Sequence, residues 1–183
     1  MKSVFTPKYV MDNRGCYSEE QAEKLSFIKQ NEITIADIMN SEIPMKDKRW
    51  WFINACEMTT KNRIDLALIL ARVVLPIYEN KYPNDKRVRE CLDAIDDFNA
   101  GKITRDDLLA KRRDAAYAAD AADADADADA AAAAYAVAYG AYAADAADAA
   151  AYAADADAAD AAYKKAFITA VIKFFEDNKI NLN

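Results

Sequence analysis

The chain has 183 residues, with 24 basic and 31 acidic side chains, a net charge of −7 and a mean hydropathy of −0.25. The length suits one domain, and no apolar stretch long enough to span a bilayer is free of charge. Histidine is absent and there are three glycines, which excludes histidine-based triads, most zinc sites and glycine-rich phosphate loops.

Residues 1–17 read as an irregular lead punctuated by Pro7 and Gly15. The lead has no apolar signal core, so export is not expected and a cytoplasmic protein is. The three cysteines, Cys16, Cys56 and Cys91, are widely spaced and odd in number. They suit a reducing compartment and behave as small apolar side chains. Ser18 predicts a helix start, with Glu19 and Glu20 in the first turn at the positive end and the helix running to about Gln30. Thr34 predicts a second short helix over 35–40, with Asp37 at the capping-box position. The segment 46–58, KDKRWWFINACEM, reads as helix, and 64–82, IDLALILARVVLPIYENKY, reads as a longer one, apolar on most sides. A helix of that kind belongs at the centre of a bundle, and Pro76 inside it cannot donate to the carbonyl of Arg72. After the turn YPND, residues Val88, Leu92, Ile95 and Phe98 mark one face of a helix that stops at Gly101. Thr104, with Asp107 three residues on, caps the next helix.

From 114 to 162 only Ala, Asp, Tyr, Val and Gly occur, with eleven aspartates and no basic residue. The segment therefore carries −11 and the remainder of the chain +4. Alanine is the best helix former and proline is absent, so ordered helix is expected. A single rod of that length would span roughly 74 Å, against a radius of gyration of roughly 16 Å for a compact chain of this size. The arm is therefore expected to fold back and pack on the body. The break is expected within 123–129, where alternate aspartates surround the axis and weaken the helix. The segment 163–183, with Phe167, Val171, Phe174 and Phe175, closes the same domain. The expected fold is thus all-α: an irregular helical bundle of one domain, with a body over 1–113, an alanine, aspartate and tyrosine arm over 114–162, and long alanine-rich helices packed against a central apolar helix.

Constellations that carry chemistry are few. Paired carboxylates do catalytic work when their environments differ, and an alanine-flanked array makes them uniform; no enzyme, and no cofactor, is expected. DADADAD over 123–129 alternates carboxylates as a calcium loop does, but Ala128 stands where such a loop needs glycine and no distal glutamate follows. No metal site is assigned. An acidic arm repels nucleic acid and suits a basic partner surface, although the aspartates also serve simply to solubilise it. Tyr117, Tyr135, Tyr139 and Tyr142 fall within about 60° of one another on a continuous helix. They either key the alanine helices onto the body or present a recognition face. Tyr135, Tyr139, Tyr142, Asp145 and Asp148 are the partner-binding candidates. Lys48, Arg49 and Trp50, with Lys111, Arg112 and Arg113, are candidates for holding an anion such as a phosphate-bearing ligand, against the alternative of pairing with the acidic arm.

RWWFINACEM, the stretch LARVVLPIYENKYPNDKRVRECLDAIDDFNAGKITRDDLLAKRRDAAYAAD, and the tyrosine-marked alanine run beyond it together resemble an immunity protein family of alanine-rich helical chains found in bacterial toxin–immunity loci and phages. The resemblance covers Arg49 to Tyr163 and is carried best by LARVVLPIYENKYPNDKR, the AGK break at Ala100 to Lys102, and RRDAAYAAD. Members often carry tryptophan and arginine in the alanine run, where this chain has aspartate and tyrosine. The resemblance implies a non-enzymatic protein that neutralises a protein toxin or host-defence effector, here one with a basic surface. The other classes weighed are a sequestering protein for a small phosphate-bearing signal and a structural or ice-binding helix, the latter at odds with aspartates all around the axis. Neither a membrane nor a nucleic acid is an expected partner, and a homo-oligomer is left open.

Overall fold

The computed structural model describes residues 4–12, 17–45, 47–48, 51, 56, 58–125, 127–140 and 161–180. Among these the fold is all-α apart from one pair of two-residue strands. Contacts divide the chain into two units, 1–59 with 171–183, and 60–170. This division cuts across the body and arm expected from composition, because the first stretch of the arm shares a unit with the long helices that precede it.

In the first unit, β1 (Val4–Phe5) pairs antiparallel with β2 (Ile33–Thr34), Val4 opposite Thr34 and Phe5 opposite Ile33. Around this ribbon lie α1 (Pro7–Asp12), α2 (Glu19–Glu23), a 3-10 turn (Ser26–Lys29) and α3 (Ile35–Met39). Ser18 caps α2 in a full capping box with Gln21, and Thr34 caps α3 in one with Asp37. The single helix expected from Ser18 to Gln30 is two pieces instead. Leu25 is extended (φ −63°, ψ 128°) and turns the chain so that Phe27 is buried. Phe5 stacks on Tyr9 and meets Trp51 edge-on, both at 5.7 Å. The helix expected over 46–58 does not reach its end: Asp47 and Lys48 turn back to the Pro44 carbonyl, whereas Cys56 and Met58 are not helical.

The second unit is built from α4 (Thr60–Lys81), α5 (Arg87–Asn99), α6 (Arg105–Ala124), α7 (Ala128–Gly140) and the first part of α8 (Ala161–Asn178). Helix α4 buries Leu66, Leu70, Ala71, Val74 and Tyr78 and runs on past Pro76. Helix α5 buries Val88, Leu92 and Ile95, but Phe98, assigned to the same face, is exposed at its end. The stop is the predicted one. Gly101 has φ +70°, its N–H reaches the Phe98 carbonyl, and the Lys102 N–H reaches the Asp97 carbonyl at 2.9 Å, a left-handed cap in which glycine carries no Cβ penalty. Thr104 and Asp107 then form the predicted capping box of α6.

The alanine segment bends where its aspartates alternate. Helix α6 ends at Ala124 with Asp125 as its cap, and α7 starts at Ala128. Helix α7 packs against α4, α5 and α6 and buries Ala130, Ala131, Ala133, Ala134, Val137 and Ala138. With Ala136, also buried, these residues cover about 220° of arc at 100° per residue, so α7 is as much a core helix as α4. Methyl side chains let three neighbours approach it closely, which no wider helix would allow at that position. Residues 141–160, the remainder of the arm, lie outside the described residues.

Candidate binding surface

The motif stretch from Tyr78 to Arg89 forms the hairpin between α4 and α5, and its polar residues close on one another. The Tyr78 hydroxyl donates to Asp85 at 2.8 Å, and Arg87 donates from its backbone N–H and its guanidinium to the same carboxylate. Arg89 donates to Glu79 across the hairpin at 2.5 Å. The Arg87 hydrogen bonds hold Asp85 down at about 2, well below the usual carboxylate value, while burial and the bond to Asp85 push the Tyr78 phenol above its ordinary range. Further along, Arg72 of α4 meets Asp96 of α5 at 2.5 Å, and Lys111 of α6 meets Glu90 of α5 at 2.7 Å.

The break in the arm is tied to the same hairpin. The Tyr82 hydroxyl donates to Asp127 at 3.0 Å and Lys81 lies 3.2 Å from it, with Asp125 3.4 Å from the Tyr82 hydroxyl. Partial burial and the bond to Asp127 push Tyr82 up to about 12. Two of the alternating carboxylates that suggested a calcium loop thus accept hydrogen bonds from the end of α4.

Tyr135 and Tyr139 of α7 are half-buried, with ring centroids 6.0 Å apart. The Tyr135 hydroxyl donates to Asp120 of α6, a bond that with partial burial pushes the phenol up to about 12. Tyr139 packs on the buried Ala67 of α4, and the Arg112 guanidinium sits 5.4 Å from its ring centre while donating to the Ala138 carbonyl at 2.7 Å. These two tyrosines and Arg112 key α7 between α4 and α6. Tyr142, Asp145 and Asp148 lie outside the described residues, as do Arg49 and Trp50.

Of the anion-binding candidates, Lys48 is 4% exposed and its ammonium donates to the Met39 carbonyl at 2.8 Å. Lys111 pairs with Glu90, and the hydrogen bond raises its pKa. Arg112 does meet the arm, through the Ala138 carbonyl and the Tyr139 ring. Arg113 is exposed. Among the described residues no group of metal-ligating side chains comes together. No helix of the described residues is long and apolar enough to cross a membrane.

Tyr117 stands apart from Tyr135 and Tyr139 because the break places it on a different helix. It is 58% exposed on α6, and Leu109, two turns earlier, is 38% exposed. Leu109 was not among the sequence candidates. Its phase relative to the Thr104 cap, with Arg113 and Tyr117 following at four-residue spacing, is the signal that marks it.

Comparison with known proteins finds one family. The model of the Imm-5 like putative immunity protein matches residues 57–173, which is well over half of the chain and takes in the hairpin, the Gly101 stop, α6 and α7. No curated protein and no solved structure matches. The chain belongs to the Imm-5 like putative immunity protein family.

Proposed function

We propose that this chain is a non-enzymatic binding protein that neutralises a protein toxin or defence effector by occupying a basic surface on it. The observation that carries this reading is the family match over 57–173, which coincides with the unit formed by 60–170. Charge supports the choice of partner. The chain is acidic overall, and Asp120, Asp123, Asp125 and Asp129 are exposed along the bend of that unit. Such a field steers a cationic protein toward it and repels nucleic acid. The phosphate-capture alternative has no comparable support, since Lys48, Lys111 and Arg112 each donate to acceptors within the chain.

The test is protection in cells. Expression of this chain together with the product of the gene adjacent to its own is expected to restore growth that the neighbour alone arrests. If growth stays arrested while both proteins accumulate in folded form, the neutralisation reading is wrong.

A further inference from the structure

We propose that the solvent face of α6 is the surface that docks the partner, and that it fits a protein surface rich in lysine and arginine with an apolar seat for Leu109 and Tyr117. The proposal rests on the neutralisation reading and adds where the contact is made.

The phase of α6 separates two faces. Leu108, Ala115, Ala118, Ala119 and Ala122 are buried. Opposite them, at 100° per residue, Leu109, Arg113, Tyr117, Asp120 and Asp123 fall within about 120° of arc, and all five are exposed. Single exposed apolar residues are ordinary on a protein surface. Leu109 and Tyr117 differ in sharing one stripe, about 12 Å apart along the axis, on either side of Arg113. The other described tyrosines of this alanine-rich region, Tyr135 and Tyr139, turn toward neighbouring helices, whereas Tyr117 turns away. Tyrosine and arginine are the residue types over-represented among those that dominate binding energy, and Leu109 adds apolar area beside them.

The charge around this stripe chooses the occupant. Asp120 and Asp123 lie on it, and Asp125 and Asp129 continue beyond its end, all exposed. A second copy of this chain would bring the same acidic face and a further −7 of charge, so self-association through α6 is repulsive. A surface of lysine and arginine around an apolar depression is complementary in both respects. The face is also held rigid before contact: the Thr104 capping box fixes the start of α6, Lys111 ties it to Glu90, and Arg112 and Asp120 tie it to α7. A preformed face loses little conformational entropy when it docks.

The experiment is calorimetric titration of the full-length chain with the protein encoded by the adjacent gene, alongside two double variants, Leu109→Ala/Tyr117→Ala and Asp123→Asn/Asp129→Asn. All four side chains are exposed, so thermal melting midpoints close to wild type are expected and confirm folding. The apolar pair is expected to weaken binding at least tenfold at any ionic strength. The aspartate pair is expected to weaken it a few-fold at low salt, with the difference closing as salt screens the charges. Tight binding by wild type with less than a twofold change in the apolar variant would overturn the α6 surface and leave neutralisation standing. If wild type does not bind the probe at all, the neutralisation reading and this surface both fall.

Discussion

Asp85 shows how much one side chain of the α4–α5 hairpin organises. It accepts from Tyr78 on α4 and from both the backbone and the guanidinium of Arg87 at the start of α5, so a single carboxylate sets the geometry of the hairpin. Its pKa in the folded chain, about 2, lies below the ordinary 3.8. A group whose folded pKa is depressed contributes stability above its unfolded pKa, and that contribution is lost as pH falls through the folded value. The Asp85 contribution is therefore complete above about pH 5 and disappears between about pH 4 and pH 2. Replacing Asp85 with Asn is expected to lower stability at pH 7 by roughly 1–3 kcal/mol, because the buried Tyr78 hydroxyl and Arg87 lose a charged acceptor. Urea melts at pH 7 and pH 2 check this: the gap between wild type and the variant should be wide at the first and narrow at the second. An equal gap at both would show that the carboxylate charge is not what the hairpin uses. At this scale the local chemistry was legible in sequence and the long-range chemistry was not. Thr34 with Asp37 and Thr104 with Asp107 announced their capping boxes because both partners lie within one turn. Nothing near Lys48 announced that the Met39 carbonyl would take its ammonium.

Helix α7 is the element on which the second unit turns. It is surrounded by α4, α5 and α6, and Ala133, Ala134 and Ala136 have no accessible surface. Alanine is there for its size as well as its helix propensity. Replacing Ala134 with Leu is expected to destabilise the chain by roughly 1–3 kcal/mol through overpacking, whereas Ala121→Leu on the exposed side of α6 should stay within about 0.5 kcal/mol of wild type. Chemical denaturation of the two variants decides it, and equal stability would mean that α7 is not the tightly packed centre described above. The sequence predicted helix in this stretch, and a bend where Asp123, Asp125, Asp127 and Asp129 alternate; α6 does end at Ala124 and α7 does begin at Ala128. It also predicted alanine-rich helices packed against the central apolar helix, and α7 does pack on α4. Composition states that an alanine face can approach closely, but which helices approach it is decided by Asp120, Tyr135, Arg112 and Ala138 meeting across the α6–α7 interface. The same bend explains the tyrosines. On one continuous helix Tyr117 would share a stripe with Tyr135 and Tyr139; the break frees it to face solvent.

At the scale of the whole molecule, the family match and the division of contacts converge on nearly the same residues, 57–173 and 60–170. There α6 and α7, from the described part of the arm, share a unit with α4 and α5. The all-α class and the family were legible in the sequence because they rest on periodicity and on a contiguous motif, LARVVLPIYENKYPNDKR. The α6 face proposed for the partner was less so, since exposure depends on which face of α6 its neighbours cover. The central claim is that this unit acts by binding, one copy to one partner, and not by turnover. Titrating the activity of the adjacent-gene toxin with the purified full-length chain tests it most directly. Inhibition should rise linearly and break at one equivalent, with the mass of the toxin unchanged and activity recovered when high salt separates the two. Inactivation by a small fraction of an equivalent with an altered toxin mass, or full toxin activity at a large molar excess of this chain, would contradict the account.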